Sequence, residues 1–260
     1  MDLGLQGCVA IVGGSSSGIG RACATALAAE GCNVVLFARR KELLDEAVQE
    51  IGALGSGAQA LAVAGDSADR GALQALVDGT LERFGRLDVV VNNTGGPPAG
   101  SFEDFDEQAW RSAWELTLMS ALRLTRLALP ALRRSGRGRI VNITSSAVKE
   151  PNDGLLLSNV YRPGVIGWAK TISREEAEHG ITVNSIAPGY IDTERLRYLY
   201  GDGEDADAAR RADAAAIPAG RFGEPSEIAA AVAFLCSTQA AYVNGITLLV
   251  DGGLARGLLS

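Results

Sequence analysis

The chain has 260 residues, enough for one α/β domain or two small ones and ample for a buried core. Apolar residues make up 47 % and glycine is abundant, which excludes a disordered composition. The net charge is −7 and no basic block or aromatic-basic patch occurs, so the signature of a nucleic-acid binder is absent.

The N-terminus passes from "MDLGLQG" straight into a strand-like run, with no signal peptide and no apolar stretch long enough for a bilayer. The expected compartment is the cytoplasm. Cys8, Cys23, Cys32 and Cys236 show no metal or redox spacing and read as small core residues in a reducing environment; no metal site is expected. Strands are predicted over 8–13, 33–38, 60–65, 87–93, 138–144, 181–187 and 246–250. Between them, helices are predicted near 18–30, 41–52, 69–84, 107–134, 163–179 and 224–237. Near-continuous apolar strands alternating with helices indicate a Rossmann-like, doubly wound, parallel seven-stranded sheet with helices on both faces. No repeat or linker divides the chain, so residues 1–260 are expected to form one domain. The irregular acidic segment at about 193–217 reads as a lid, or as a solvated helical insertion.

The stretch "AIVGGSSSGIGRACATALAAEGCNVVLFARR" carries the strongest signal. A strand ends at Gly13, and Gly14, Gly18 and Gly20 allow a tight turn and close approach to a pyrophosphate. A helix then opens with free N–H groups and a positive dipole, so Gly14, Ser16, Ser17, Gly18, Ile19 and Gly20 are the expected phosphate cradle. At the end of the second strand, where an acid would select NAD, stand Ala38, Arg39 and Arg40. Guanidinium suits a 2′-phosphate. NADP(H) is therefore expected in preference to NAD(H), with Arg39 as main contact and Arg40 beside it. The other reading makes both arginines solvated surface charges.

With "GGSSSGIG", "NNTG", "RIVNITSS", "HGITVNSIAPGYIDT", "RFGEPSEIAAAVAFL" and "VDGG", essentially the whole chain resembles the short-chain dehydrogenase/reductase family, most of all its 3-oxoacyl-carrier-protein reductase-like branch. The resemblance implies an NADP(H)-binding fold acting on ketones and secondary alcohols. It implies that Asp66, with Ser67 beside it, meets the adenine, and that Asn92 and Gly95 lie along the adenosine. Pro188 and Gly189 would lead into a loop in which Ile191 and Thr193 bond the nicotinamide carboxamide. It also implies a homodimer or homotetramer, and "AWRSAWELTLMSALRLTRLALPALR" is apolar on more than one face, as a partner-covered helix would be.

The catalytic end departs from the family pattern. Counting back from "HGITVN", the family's tyrosine position falls on Ser158 and its lysine position on Arg162. The serine is retained as Ser145, and the asparagine position corresponds to Thr117. A serine hydroxyl is a much weaker acid than a phenol. Arg162 stays charged and can clamp the ribose but cannot relay a proton. Tyr161 lies about 60° around a helix from Ser158 and is the obvious substitute acid. Pro163 places it instead on a loop if the helix begins later, with the proline in its first turn. Its alternative reading is a packed or interface aromatic. Lys149 is a second candidate, or a solvated loop lysine; His179, before Gly180, reads as a helix-end charge.

The sequence thus points to an NADP(H)-dependent ketone/alcohol oxidoreductase with a non-standard proton donor. Leu196, Tyr198, Leu199 and Tyr200 in the lid suggest a partly apolar substrate, or lid packing alone. The alternatives are a lyase, isomerase or cyclase on the same fold, or a catalytically silent cofactor-binding protein.

Overall fold

Alternate residues of each central strand face opposite ways, and here both faces are apolar. In β1 (Val9–Gly13), Ala10 and Val12 point into one core and Ile11 into the other. In β2 (Asn33–Ala38), Val34 and Leu36 oppose Val35 and Phe37 in the same way. Such strands are stable only when covered on both sides. The computed structural model, which describes residues 2–257, supplies both covers.

One layer contains α1 (Gly18–Ala29), α2 (Lys41–Gly52) and α9 (Pro225–Cys236), which bury Leu27, Leu44, Ile51 and Val232 among others. The other contains α3 (Arg70–Phe84), α5 (Ser120–Ser135) and α6 (Leu156–Glu175), which bury Leu73, Leu76, Leu132 and Ala169. The remaining strands are β3 (Ala60–Ala64), β4 (Val89–Asn92), β5 (Arg139–Ile143), β6 (Thr182–Pro188) and β7 (Thr247–Val250). Among the described residues the sheet is seven-stranded and parallel, in the order β3-β2-β1-β4-β5-β6-β7. The chain winds outward from β1 to β3 and then returns to pair β4 with β1. That reversal opens a crevice at the C-terminal ends of the strands, where ligands of such sheets bind.

Three local features differ from the sequence reading. The helix predicted over 107–134 is α4 (Glu107–Trp114) joined to α5 through a π-helical turn, Glu115–Met119. The lid is two short helices, α7 (Glu194–Tyr200) and α8 (Glu204–Ala216). The helix predicted to start at 163 begins at Leu156, so Pro163 lies in its interior and Tyr161 is helical. Pro163 forfeits one backbone bond. Arg162 ties this turn down by donating to Ser158 Oγ at 3.0 Å and to the carbonyls of Ile143 and Thr144 at 3.2 and 2.9 Å. All four cysteines are buried and free. No helix among the described residues is long and apolar enough to cross a membrane.

Candidate active site

The crevice holds a cavity of about 270 Å³. Its floor is made by the ends of four strands: Gly14 after β1, Asn93–Pro97 after β4, Ile143–Ser146 at β5, and Pro188–Ile191 at β6. Ser17, Gly18 and Ile19 close one end; Asn152, Leu155, Ser158 and Arg162 form the opposite wall, and Thr193–Leu196 with Leu199 the roof.

The glycine turn is shaped by contact as well as conformation. Gly14 has φ +60°, and a Cβ there would stand 2.6 Å from Asn93 Nδ2. A Cβ on Gly20 would stand 2.3 Å from the Gly14 carbonyl oxygen, so no larger residue fits beneath the turn. Asn93 Nδ2 donates to the Gly13 carbonyl at 3.1 Å and fastens β4 to the turn. Sequence reasoning missed Asn93, although "NNTG" contains it. The first turn of α1 has no acidic residue and no side-chain cap, which leaves its N-terminus suited to an anion.

Arg40, not Arg39, reaches this turn. Its Nη2 donates to Ser17 Oγ at 2.8 Å and Ser16 Oγ at 3.3 Å, and lies 3.3 Å from the Glu194 carboxylate. Arg39 is exposed and outside the cavity lining. The expected adenosine contacts divide. Gly95 lines the cavity. Asp66 is exposed and bonds the Ala68 N–H, and neither it nor Ser67 lines the cavity. Asn92 turns to the other face of the sheet, where its Nδ2 donates to Asn142 Oδ1 and Thr125 Oγ1. Adjacent strand residues point oppositely, so Asn93 and Asn92 cannot serve the same side.

At the catalytic end Ser145, Ser158 and Arg162 do come together. Ser145 Oγ accepts from the Ala147 N–H at 3.2 Å, and Ser158 Oγ accepts from Arg162 Nε at 3.0 Å. Each hydroxyl therefore keeps its own proton to donate. Arg162 is enclosed, and burial followed by repulsion from Arg195 pulls its guanidinium down to about 10. Thr117 is buried in the π-helical turn behind Arg162, beside a second cavity of about 20 Å³, and does not line the main one.

Tyr161 is not brought to the site. Its hydroxyl donates to the Trp110 carbonyl at 3.0 Å, and its ring meets Trp110 edge-on at 6.0 Å. Lys149 and His179 are also outside the cavity lining. The tyrosine among the cavity's lining residues is Tyr190, which sequence reasoning did not single out. Its ring packs on Phe222 at 5.9 Å, and its carbonyl accepts from the Gly223 N–H at 2.9 Å. Burial, then the nearby Asp213 and Asp153, hold that phenol above its ordinary value, so it is protonated at neutral pH. Of the lid residues, Leu196 and Leu199 line the cavity, whereas Tyr198 is 76 % exposed and Tyr200 bonds Asp213.

Residues 14–255 match the enoyl-(acyl carrier protein) reductase family. The chain is 37 % identical over 252 residues to the 3-oxoacyl-[acyl-carrier-protein] reductase FabG of Vibrio cholerae, covering 97 % of this chain and 99 % of that protein. It is 34 % identical over 255 residues to dehydrogenase/reductase SDR family member 4 of Caenorhabditis elegans, covering 97 % of both chains. Among solved structures, the L-sorbose reductase of Gluconobacter frateurii complexed with NADPH and L-sorbose superposes with a TM-score of 0.94 at 34 % identity, over 99 % of this chain and 100 % of that one.

Proposed function

The chain belongs to the short-chain dehydrogenase/reductase family, and on that premise we propose that it is an NADP(H)-dependent oxidoreductase interconverting a ketone and a secondary alcohol. The observation that carries the reading is one cavity lined by the glycine turn at one end and by Ser145, Ser158 and Arg162 at the other.

The residues present fit the dinucleotide. Gly14 and Gly20 let the turn pack directly on Asn93 and on itself, and Thr193 Cγ2 lies 3.3 Å from where a Cβ on Gly18 would stand, so the roof loop rests on the turn. Ser17, Gly18 and Ile19 would hold the diphosphate, Arg40 the 2′-phosphate, Arg162 the ribose, and Ile191 with Thr193 the carboxamide. Bound NADPH supplies the hydride. Ser145 and Ser158 donate hydrogen bonds to the substrate carbonyl, Arg162 keeps the Ser158 hydroxyl turned toward it, and together they favour charge developing on the oxygen. Tyr190, the tyrosine of the cavity lining, would be the non-standard proton donor. The reading includes a cytoplasmic location and a homodimer or homotetramer.

The test is NADPH oxidation at its absorbance band against a panel of ketones, with coenzyme binding measured separately. Turnover with at least one ketone is expected. Firm NADPH binding with no turnover across the panel would instead favour the non-redox or silent readings that the Ser158 and Arg162 replacements raise.

A further inference from the structure

The cavity carries an imbalance of charge. Arg162 and Arg195 line it; among the described residues the only carboxylate in its lining is Glu194, which is paired with Arg40. Arg162 is held by a hydroxyl and two carbonyls, and no acid bonds it among the described residues. Arg195 rises from α7 into the roof. Its Nη2 donates to the Pro97 carbonyl at 2.5 Å, and its guanidinium lies 5.7 Å from the Tyr198 ring centre. It makes no ion pair among the described residues. Desolvation pulls Arg195 below its ordinary value, and its charge depresses Arg162 in turn.

A half-buried cation facing a second one is costly unless an anion joins them. Two sources supply anions here: the coenzyme's phosphates and a substrate acid. The diphosphate belongs at the α1 N-terminus, beside Ser17 and Gly18. Arg195 is anchored instead to Pro97, beyond β4, and is near enough to Arg162, whose neighbours are Ser158 and the end of β5, for the two charges to repel. Leu155, Leu196 and Leu199 give that part of the cavity an apolar wall.

We infer that the substrate is an oxo acid, its carboxylate received by Arg195 and its carbonyl oxygen placed against Ser145 and Ser158. This rests on the oxidoreductase reading for the carbonyl half. The carbonyl carbon gains the hydride from NADPH, its oxygen gains a proton, and a hydroxy acid leaves with NADP+.

Calorimetry on the full chain saturated with NADP+ tests the inference without turnover. The probes are pyruvate, acetoacetate and levulinate, each against its methyl ester. At least one acid should bind roughly tenfold or more tighter than its ester, the size of one charge-assisted bond. Arg195→Gln should erase that difference and leave NADP+ affinity unchanged, and Arg195→Lys should restore part of it. Acids binding no better than esters would overturn the inference. An Arg195→Gln loss that appears in NADP+ affinity instead would overturn it too, by giving Arg195 to the coenzyme phosphates. Failure of the parent reading has a different signature: an acid binds through Arg195, yet neither acids nor neutral ketones oxidise NADPH.

Discussion

On the proposed reading, Ser145, Ser158 and Tyr190 share the work assigned to the family's tyrosine. Ser145→Ala should lower kcat by about 10² or more, the usual cost of one donor to a developing oxyanion. Tyr190→Phe should lower it by about 10²–10⁴, the range for a general acid, while NADPH affinity stays constant. Tyr161→Phe should change stability by about 1 kcal/mol through the lost Trp110 bond and leave turnover within about twofold. Steady-state kinetics on the three variants separates these roles, and a large loss at Tyr161 alone would contradict the assignment. Coenzyme choice is also a residue-scale matter. Arg40 touches both loop serines, so Arg40→Asp should weaken NADPH roughly tenfold or more and favour NADH. Calorimetry with both coenzymes reads this directly, and an unchanged order would return the role to Arg39 or to neither.

Among the elements, α6 is decisive because it carries Ser158, Arg162 and Pro163 together. Arg162→Ala removes three donated bonds and the buried charge. NADPH binding should fall roughly tenfold or more, with the loss measured on a variant whose thermal unfolding remains cooperative. Unchanged affinity would place Arg162 outside the coenzyme's reach. A different knot ties β1 and β4 to α5. Asp88 accepts from Val9 N–H at 2.9 Å, from Arg86 Nε and Nη2 at 2.8 and 2.7 Å, and from Ser135 Oγ. Burial pushes its carboxyl up, but Arg86, Ser135 and Val9 outweigh that and hold it below the ordinary value. With the folded pKa depressed, its contribution is present above the unfolded value, about 3.9, and is lost as pH falls through the folded one. Asp88→Asn should therefore cost about 3 kcal/mol in urea unfolding at neutral pH, with the gap narrowing below about pH 4.

These elements also show what the sequence could and could not disclose. The strands and the glycine turn were legible because both-sided burial needs apolar runs and only glycine fits at Gly14 and Gly20. The start of α6 was not. Pro163 argues locally for a late start, but Arg162's bonds to the end of β5 hold the preceding turn helical, and those carbonyls lie 18 and 19 residues away. Choosing Arg40 over Arg39, or Asn93 over Asn92, requires knowing which way each side chain turns at a strand's end. Tyr190 escaped notice because its value depends on the other tyrosines being occupied or exposed. That is a tertiary fact.

At the scale of the whole molecule, exposed apolar side chains gather in two places among the described residues, with Leu54 and Tyr198 apart from both. Phe102, Trp114 on α4 and Val160 on α6 are exposed, and α4 and α6 are joined by the Tyr161–Trp110 bond. Phe234 on α9, Tyr242 and Ile246 are exposed around β7, an edge strand of the sheet. Paired apolar patches of this kind mark association. Each patch can meet its own copy about a twofold axis, and two such contacts on one chain close into a tetramer of D2 symmetry. Light scattering at micromolar concentration should therefore report four chains. Val160→Glu puts a charge in the first patch and should leave dimers held through the β7 side. Ile246→Glu should leave dimers held through α4 and α6. The double variant should be monomeric. A wild-type monomer would remove the argument, and a wild-type dimer split by only one of the substitutions would confine it to that patch.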